Sequence, residues 1–211
     1  MADSSVRNKN ENQKMQLTLC RHGQTEWNLK GIIQGHQDSP LTPLGQQQAS
    51  ALSSKLIPTR FDRVISSDLK RCLDTAKGAL GNDQALLETS ALLRERNFGV
   101  IQGLSLNEHP KWNSAFNQRF SQNRIDIEGS ESASDVADRI CTLLQALYQQ
   151  GARDVLLFSH GEWIRTLMNL HYGHAPWSNA STLPGNGEMI TLRQINPEIL
   201  WGALNRAENQ S

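Results

Sequence analysis

Leu17-Thr18-Leu19-Cys20-Arg21-His22-Gly23-Gln24-Thr25-Glu26-Trp27-Asn28 is the stretch on which the fold turns. Leu17 and Leu19 alternate with Thr18 and Cys20, the period of a short strand, and the strand runs straight into Arg-His-Gly. In an open α/β sheet, ligands bind in the crevice at the carboxyl ends of the strands. An Arg-His pair delivered there, followed by a glycine that leaves room against the backbone, suits an anion attacked by an imidazole. A surface arginine beside a satisfied loop histidine would read the same way in isolation, so the rest of the chain decides.

Outward from this strand, residues 27–44 are rich in Gly, Gln, Asp and Pro and read as loop. Thr42-Pro43 then opens a helix, with Thr42 as N-cap and Pro43 at its first position. Leu44, Ala49, Leu52 and Leu56 form its apolar stripe. Residues 61–66 predict a second parallel strand, and Ser67-Asp68 is expected to cap a helix over 69–80 that stops near Gly81. A short third strand is expected within 81–93. Residues 105–127 are weakly helical and broken by Pro110. Trp112, Phe116 and Phe120 repeat every fourth residue there, to pack a helical excursion onto the body or, for one ring, to line a pocket.

Residues 132–150 carry the clearest helical pattern, with Val136, Ile140, Leu144 and Leu147 on one stripe and Gly151 at the end. Asp154 to Ser159 is nearly all apolar, as in a central strand covered on both faces. It ends in Ser159-His160-Gly161, the same kind of ending as the first strand. A helix over 162–170, a strand over 188–195 and an edge strand over 199–204 complete the expectation. The alternation of strand and helix points to an α/β fold: a three-layer sandwich with a mainly parallel central sheet flanked by helices.

The 211 residues suit one domain over 15–205, after a polar leader over 1–14 that has no apolar core of a signal and is expected to be disordered. Lys+Arg and Asp+Glu are each 21, so no global basic field exists to gather nucleic acid or anionic lipid. Any anion site must therefore be a local gathering of arginines. Cys20, Cys72 and Cys141 form no ligand-spaced cluster and read as reduced, mostly core thiols of a cytoplasmic protein. No apolar run approaches the roughly 20 residues of a membrane span. The expected partner is a small molecule, with no nucleic acid and no membrane, for a monomer or homodimer.

Two predicted strands thus end in histidine and glycine, at His22 and His160, and Arg71 lies one turn into the helix after a third strand end. Parallel strands share one edge, so Arg21, His22, Arg71 and His160 can converge. Guanidinium forks match phosphate oxygens, and backbone N–H groups opening the helix after His160 are expected to add to the preference for a dianion. A neutral imidazole is a competent nucleophile, and positive neighbours keep it neutral. The leaving alkoxide needs a general acid from an irregular, site-facing segment. Glu95, in Leu93-Arg94-Glu95-Arg96-Asn97-Phe98-Gly99, is best placed.

At this point the chain resembles the histidine phosphatase superfamily, in its phosphoglycerate-mutase-like branch. The resemblance rests on residues 21–28, on Gly35-His36-Gln37-Asp38-Ser39-Pro40-Leu41-Thr42, and on Ser66-Ser67-Asp68-Leu69-Lys70-Arg71 with Thr75-Ala76. Leu93-Arg94-Glu95 through Gly103 and Ser159-His160-Gly161 complete it, in the family's order over roughly residues 15 to 195. It implies His22 as the phosphorylated nucleophile, Glu95 as proton donor and His160 as the second histidine of the phosphate pocket. Arg21, Arg71, Asn28 and Gly161 would contact the phosphoryl group. It further implies no metal and no cofactor, consistent with the lack of a carboxylate cluster. Glu162 and Trp163 are individual to this chain and point to a leaving-group preference of its own.

Phosphatase and cofactor-dependent phosphoglycerate mutase would share this pocket. The mutases carry a longer insertion after the Glu95 motif, whereas only 24 residues lie between Gly103 and Glu128 here, with Lys111, Arg119 and Arg124 as their basic content. A shorter cap admits water to a phosphohistidine, so hydrolysis of phosphate monoesters is favoured over the mutase reading. A non-catalytic phospho-ligand binder is disfavoured because every expected catalytic residue is present.

Overall fold

The computed structural model describes residues 14–56, 59–81, 83 and 86–209. The expected leader lies almost wholly outside them. Five strands, β1 (Met15–Arg21), β2 (Arg63–Ser67), β3 (Leu87–Ser90), β4 (Asp154–Ser159) and β5 (Met189–Ile195), form one sheet in the order β3-β2-β4-β1-β5. All neighbours are parallel except β5, which runs antiparallel to β1 along an edge.

Alternation explains the layers. Leu17 and Leu19 of β1 and Val155 and Leu157 of β4 face α5 (Ala133–Gln149), α6 (Gly161–His171) and α7 (Pro197–Glu208). Cys20 of β1 and Leu156 and Phe158 of β4 face α2 (Pro43–Leu56) and α3 (Lys70–Leu80). β4 is apolar on both sides because both sides are covered, and each of its fully buried Leu side chains contributes about 2 kcal/mol of transfer energy. All three cysteines are free and buried, and burial raises the thiols of Cys20 and Cys141 to about 12.

Four local expectations are corrected. The segment 199–204 is no edge strand but part of α7. Asn196 accepts the Glu198 N–H as its N-cap, Pro197 takes the first turn, and Leu200, Ala203, Leu204 and Ala207 form a helical stripe against the body. The loop over 27–44 begins with a short helix, α1 (Glu26–Lys30), closed by a reciprocal cap between Thr25 and Asn28 and a left-handed Gly31. β2 starts at Arg63 rather than residue 61. Finally, α3 is not capped by Ser67-Asp68: Asp38 reaches across from the loop before α2 to accept the Lys70 N–H at 2.7 Å, while Asp68 pairs with Arg94.

Between β3 and α5 the chain makes the expected excursion, with one α-turn, α4 (Asn113–Asn117), flanked by 3₁₀ turns at Pro110–Trp112 and Gln118–Phe120. Its buried side packs Phe98, Ile101, Phe116, Ile125 and Ile127 into a small separate cluster. This excursion stands over the carboxyl ends of β1 and β4. No helix among the described residues is long and apolar enough to cross a membrane.

Candidate active site

The parallel register of β1 on β4 pairs Arg21 with Ser159, and the His22 N–H donates to the Ser159 carbonyl at 3.1 Å. The residues that follow, His22 and His160, therefore leave the sheet side by side. Their ring centroids are 5.3 Å apart and both rings are buried. Beside them opens a cavity of about 220 Å³ lined by Arg21, His22, Asn28, Arg71, Glu95 and Gly161 among others. Six of the seven expected site residues thus line one hole. The seventh, His160, sits behind His22 and does not line it.

The surroundings of His22 fix its chemistry. Its Nδ1–H donates to the Gly23 carbonyl at 2.8 Å, which leaves the lone pair on Nε2. Burial, reinforced by Arg71 and Arg21, holds its pKa well below the usual histidine value, so the ring stays neutral. Gly23 does not leave room for a ligand, as the sequence suggested. The space goes to α2: a Cβ there would lie 2.5 Å from the Gly45 carbonyl oxygen. Gly161 is the glycine that borders the site, where a Cβ would lie 3.5 Å from the Arg21 guanidinium and 3.6 Å from Glu95 Oε2.

Arg71 comes from the first turn of α3 and is almost completely buried. Its Nη1 donates to Gln37 O and Asp38 Oδ1, both at 2.7 Å, and its Nη2 to Gly35 O at 2.7 Å. Arg21 is held through Nη1 to Pro184 O at 3.0 Å. The Nε of each arginine is buried without a hydrogen-bond partner among the described residues. An unmet charged donor in the interior is costly, by about 1–3 kcal/mol or more, and an anion in the cavity is the natural acceptor. Asn28 borders the same hole, with its Oδ1 already engaged by the Thr25 cap and by Asn186 Nδ2.

Glu95 lines the same cavity. Its carboxylate accepts the N–H groups of Arg96 at 2.9 Å, Glu162 at 3.1 Å and Trp163 at 3.3 Å. The helix-opening N–H groups expected to face an anion therefore serve the carboxylate of Glu95 instead. Burial, with the nearby Glu162 charge, still raises its pKa above the ordinary carboxylate value. His36, expected to be non-catalytic, donates its Nε2–H to the Glu95 backbone carbonyl at 2.8 Å.

Four lining residues were noted from sequence without being placed in the phosphate pocket: Phe116, Arg119, Phe120 and Glu162. Arg119 lies between the faces of Phe116 and Phe120, 3.6 and 3.8 Å from their centroids, and both rings border the cavity. Burial lowers its pKa to about 10. Glu162 also lines the cavity, ion-paired with Arg165 and 3.7 Å from Arg119. The signal was present in the aromatic repeat flanking an arginine, but pocket and packing roles share that pattern. Trp163, in contrast, faces the core, its indole N–H on Leu92 O at 2.8 Å. Among the described residues no group of three or more His, Cys, Asp or Glu side chains could hold a metal ion.

The sequence profile of the histidine phosphatase superfamily (branch 1) matches residues 17–197. A broad-specificity phosphatase of Saccharomyces cerevisiae is 34% identical over 167 residues, covering 75% of this chain and 70% of the relative. Phosphoglycerate mutase-like protein 4 of Arabidopsis thaliana is 36% identical over 161 residues, covering 72% and 69%. Among solved structures, a mycobacterial glucosyl-3-phosphoglycerate phosphatase in complex with VO3 superposes with a TM-score of 0.75 at 29% identity, over 84% of this chain and 90% of that one.

Proposed function

This chain belongs to branch 1 of the histidine phosphatase superfamily, and on that premise we propose that it hydrolyses small-molecule phosphate monoesters through a phosphohistidine. The observation that carries the proposal is a neutral His22 whose free Nε2 shares a cavity with two buried, unmet guanidinium Nε groups. His22 Nε2 attacks phosphorus and the ester P–O bond breaks. Glu95, whose pKa burial raises above the ordinary carboxylate value, acts in its protonated form and hands its proton to the departing alkoxide. Glu95, now a carboxylate, takes a proton from water; that water attacks the phosphohistidine, releasing inorganic phosphate and restoring His22. Arg21 and Arg71 hold the equatorial oxygens throughout.

A mutase shares the first half-reaction and needs a second acceptor hydroxyl held in place of water. The short segment over 104–127 favours water, and the mutase-like name of the Arabidopsis relative keeps the alternative testable. Turnover of a panel of phosphate monoesters, run beside 3- to 2-phosphoglycerate interconversion with and without a bisphosphoglycerate primer, separates the two. Release of inorganic phosphate in the first assay, with no primer-dependent interconversion in the second, is the expected result. The reverse pattern assigns the mutase.

A further inference from the structure

His160 packs against two small polar residues that, like it, do not line the cavity, Ser67 at the end of β2 and Cys72 in α3. Ser67 Oγ lies 2.9 Å from His160 Nε2, and Cys72 Sγ lies 3.3 Å from the same nitrogen. Which of these groups donates follows from counting protons. Cys72 has one, and it goes to the Ser159 carbonyl at 3.3 Å. Ser67 has one, and its oxygen already accepts the Leu69 N–H at 3.3 Å. If Nε2–H donated to Ser67, the serine proton would be left buried with no acceptor, at a cost of about 1–3 kcal/mol. If Ser67 donates, every group around Nε2 is satisfied.

The ring has only one proton to place. Burial and the nearby Arg71 charge hold the His160 pKa well below its usual value, so the imidazole is neutral. With Nε2 accepting, the proton sits on Nδ1. Among the described residues Nδ1 meets only the Cys72 sulfur at 3.8 Å, a poor acceptor at that distance. An N–H left without a good partner, on a ring 5.3 Å from the ring of His22, is a donor in reserve for an oxyanion.

We propose that Ser67 is a positioning residue for the transfer step: its hydroxyl donates to Nε2 of His160 and so reserves the Nδ1–H of that ring for an oxygen of the transferring phosphoryl group. This rests on the phosphatase reading only in what the reserved proton is for. The tautomer itself is a property of the resting protein. Without the serine hydroxyl, Nε2 and Nδ1 compete for the proton, and the phosphoryl oxygen meets a lone pair in part of the population.

The test uses the full chain with 15N-labelled histidine and long-range 1H–15N correlation spectra, which show the nitrogen that carries the proton. The His160 signals are those that vanish in His160→Asn. The resting enzyme is expected to show His160 as the Nδ1–H form. Ser67→Ala is expected to lose that pattern and to lower kcat on phosphate monoesters about 10-fold or more while moving KM less. Ser67→Thr, which keeps the hydroxyl, restores both. A resting enzyme with the proton on Nε2, or a Ser67→Ala enzyme with unchanged kcat, overturns the proposal. Should the alanine variant not fold, the wild-type spectrum and the threonine variant still decide it. Release of inorganic phosphate from a monoester by the wild-type chain tests the phosphatase reading separately, so the two failures are distinguishable.

Discussion

At the end of β1 the chain reads Arg21-His22-Gly23; at the end of β4, the neighbouring strand, it reads Ser159-His160-Gly161. The two histidines are buried to nearly the same degree and both are kept neutral. Their hydrogen bonds run in opposite senses. His22 spends its proton on the Gly23 carbonyl and shows the cavity a lone pair, whereas His160, on the proposal above, takes the Ser67 hydroxyl on Nε2 and keeps an N–H in hand. On the proposed mechanism, two identical side chains thus serve as a nucleophile and a hydrogen-bond donor. The difference lies in what stands behind each ring, not in the ring or its exposure.

The sharpest way to break this comparison is to remove each ring in turn. His22→Ala is expected to lower turnover by about 10⁴-fold or more and to abolish covalent phosphate on the protein, read by mass spectrometry after an alkaline quench. His160→Asn should cost less, on the order of 10²- to 10³-fold in kcat, and should still yield labelled His22. Appreciable labelling of the His22→Ala enzyme, or none in His160→Asn, would exchange the two roles.

Glu95→Gln sharpens the same contrast from the leaving-group side. Alkyl phosphates, whose alkoxides need a proton, are expected to slow about 10²-fold, and aryl phosphates far less. The pH dependence carries the same sign. Glu95 works protonated and its pKa is raised, so turnover of alkyl phosphates falls as the pH climbs through that raised value. Equal losses on both ester classes would take the proton-donor role from Glu95.

The smallest effect is on stability. His22 and His160 have folded pKa values below the roughly 6.5 of an unfolded imidazole. As the pH falls below that value the unfolded chain binds protons that the folded one refuses. Stability should therefore drop with falling pH, by up to about 1.4 kcal/mol per pH unit for each ring. Urea midpoints between about pH 7.5 and 5 measure the slope, which His160→Asn should flatten. An unchanged slope would mean that the ring is charged in the folded state.

Much of the fold was legible because it is written in local periods. The two-residue alternation of β1, the unbroken apolar run of β4 and the helical stripe of α5 each have one low-energy solution. The segment over 199–204 was not, since its apolar residues fit a short strand as well as a helix, and the Asn196-Pro197 start that decides for the helix depends on α7 having a body to lie against. The cap of α3 was missed for a related reason: its carboxylate comes from Asp38, more than thirty residues earlier. Arg119 hid within an aromatic repeat that serves packing equally well, and of the pair Glu162-Trp163 only Glu162 lines the cavity.

By itself the sequence determined the strands, the residue types at their ends and the family, because alternation and residue identity are local quantities. Only the tertiary structure decided that Gly23 makes way for a helix and not a ligand, that the N–H groups opening α6 serve Glu95, and that His22 lines the cavity while His160 packs against the His22 ring and meets Ser67. His22 meets its partner in the next residue, but the partner of the His160 ring is Ser67, 93 residues away in the chain and 2.9 Å away in space, and nothing in local sequence encodes that approach.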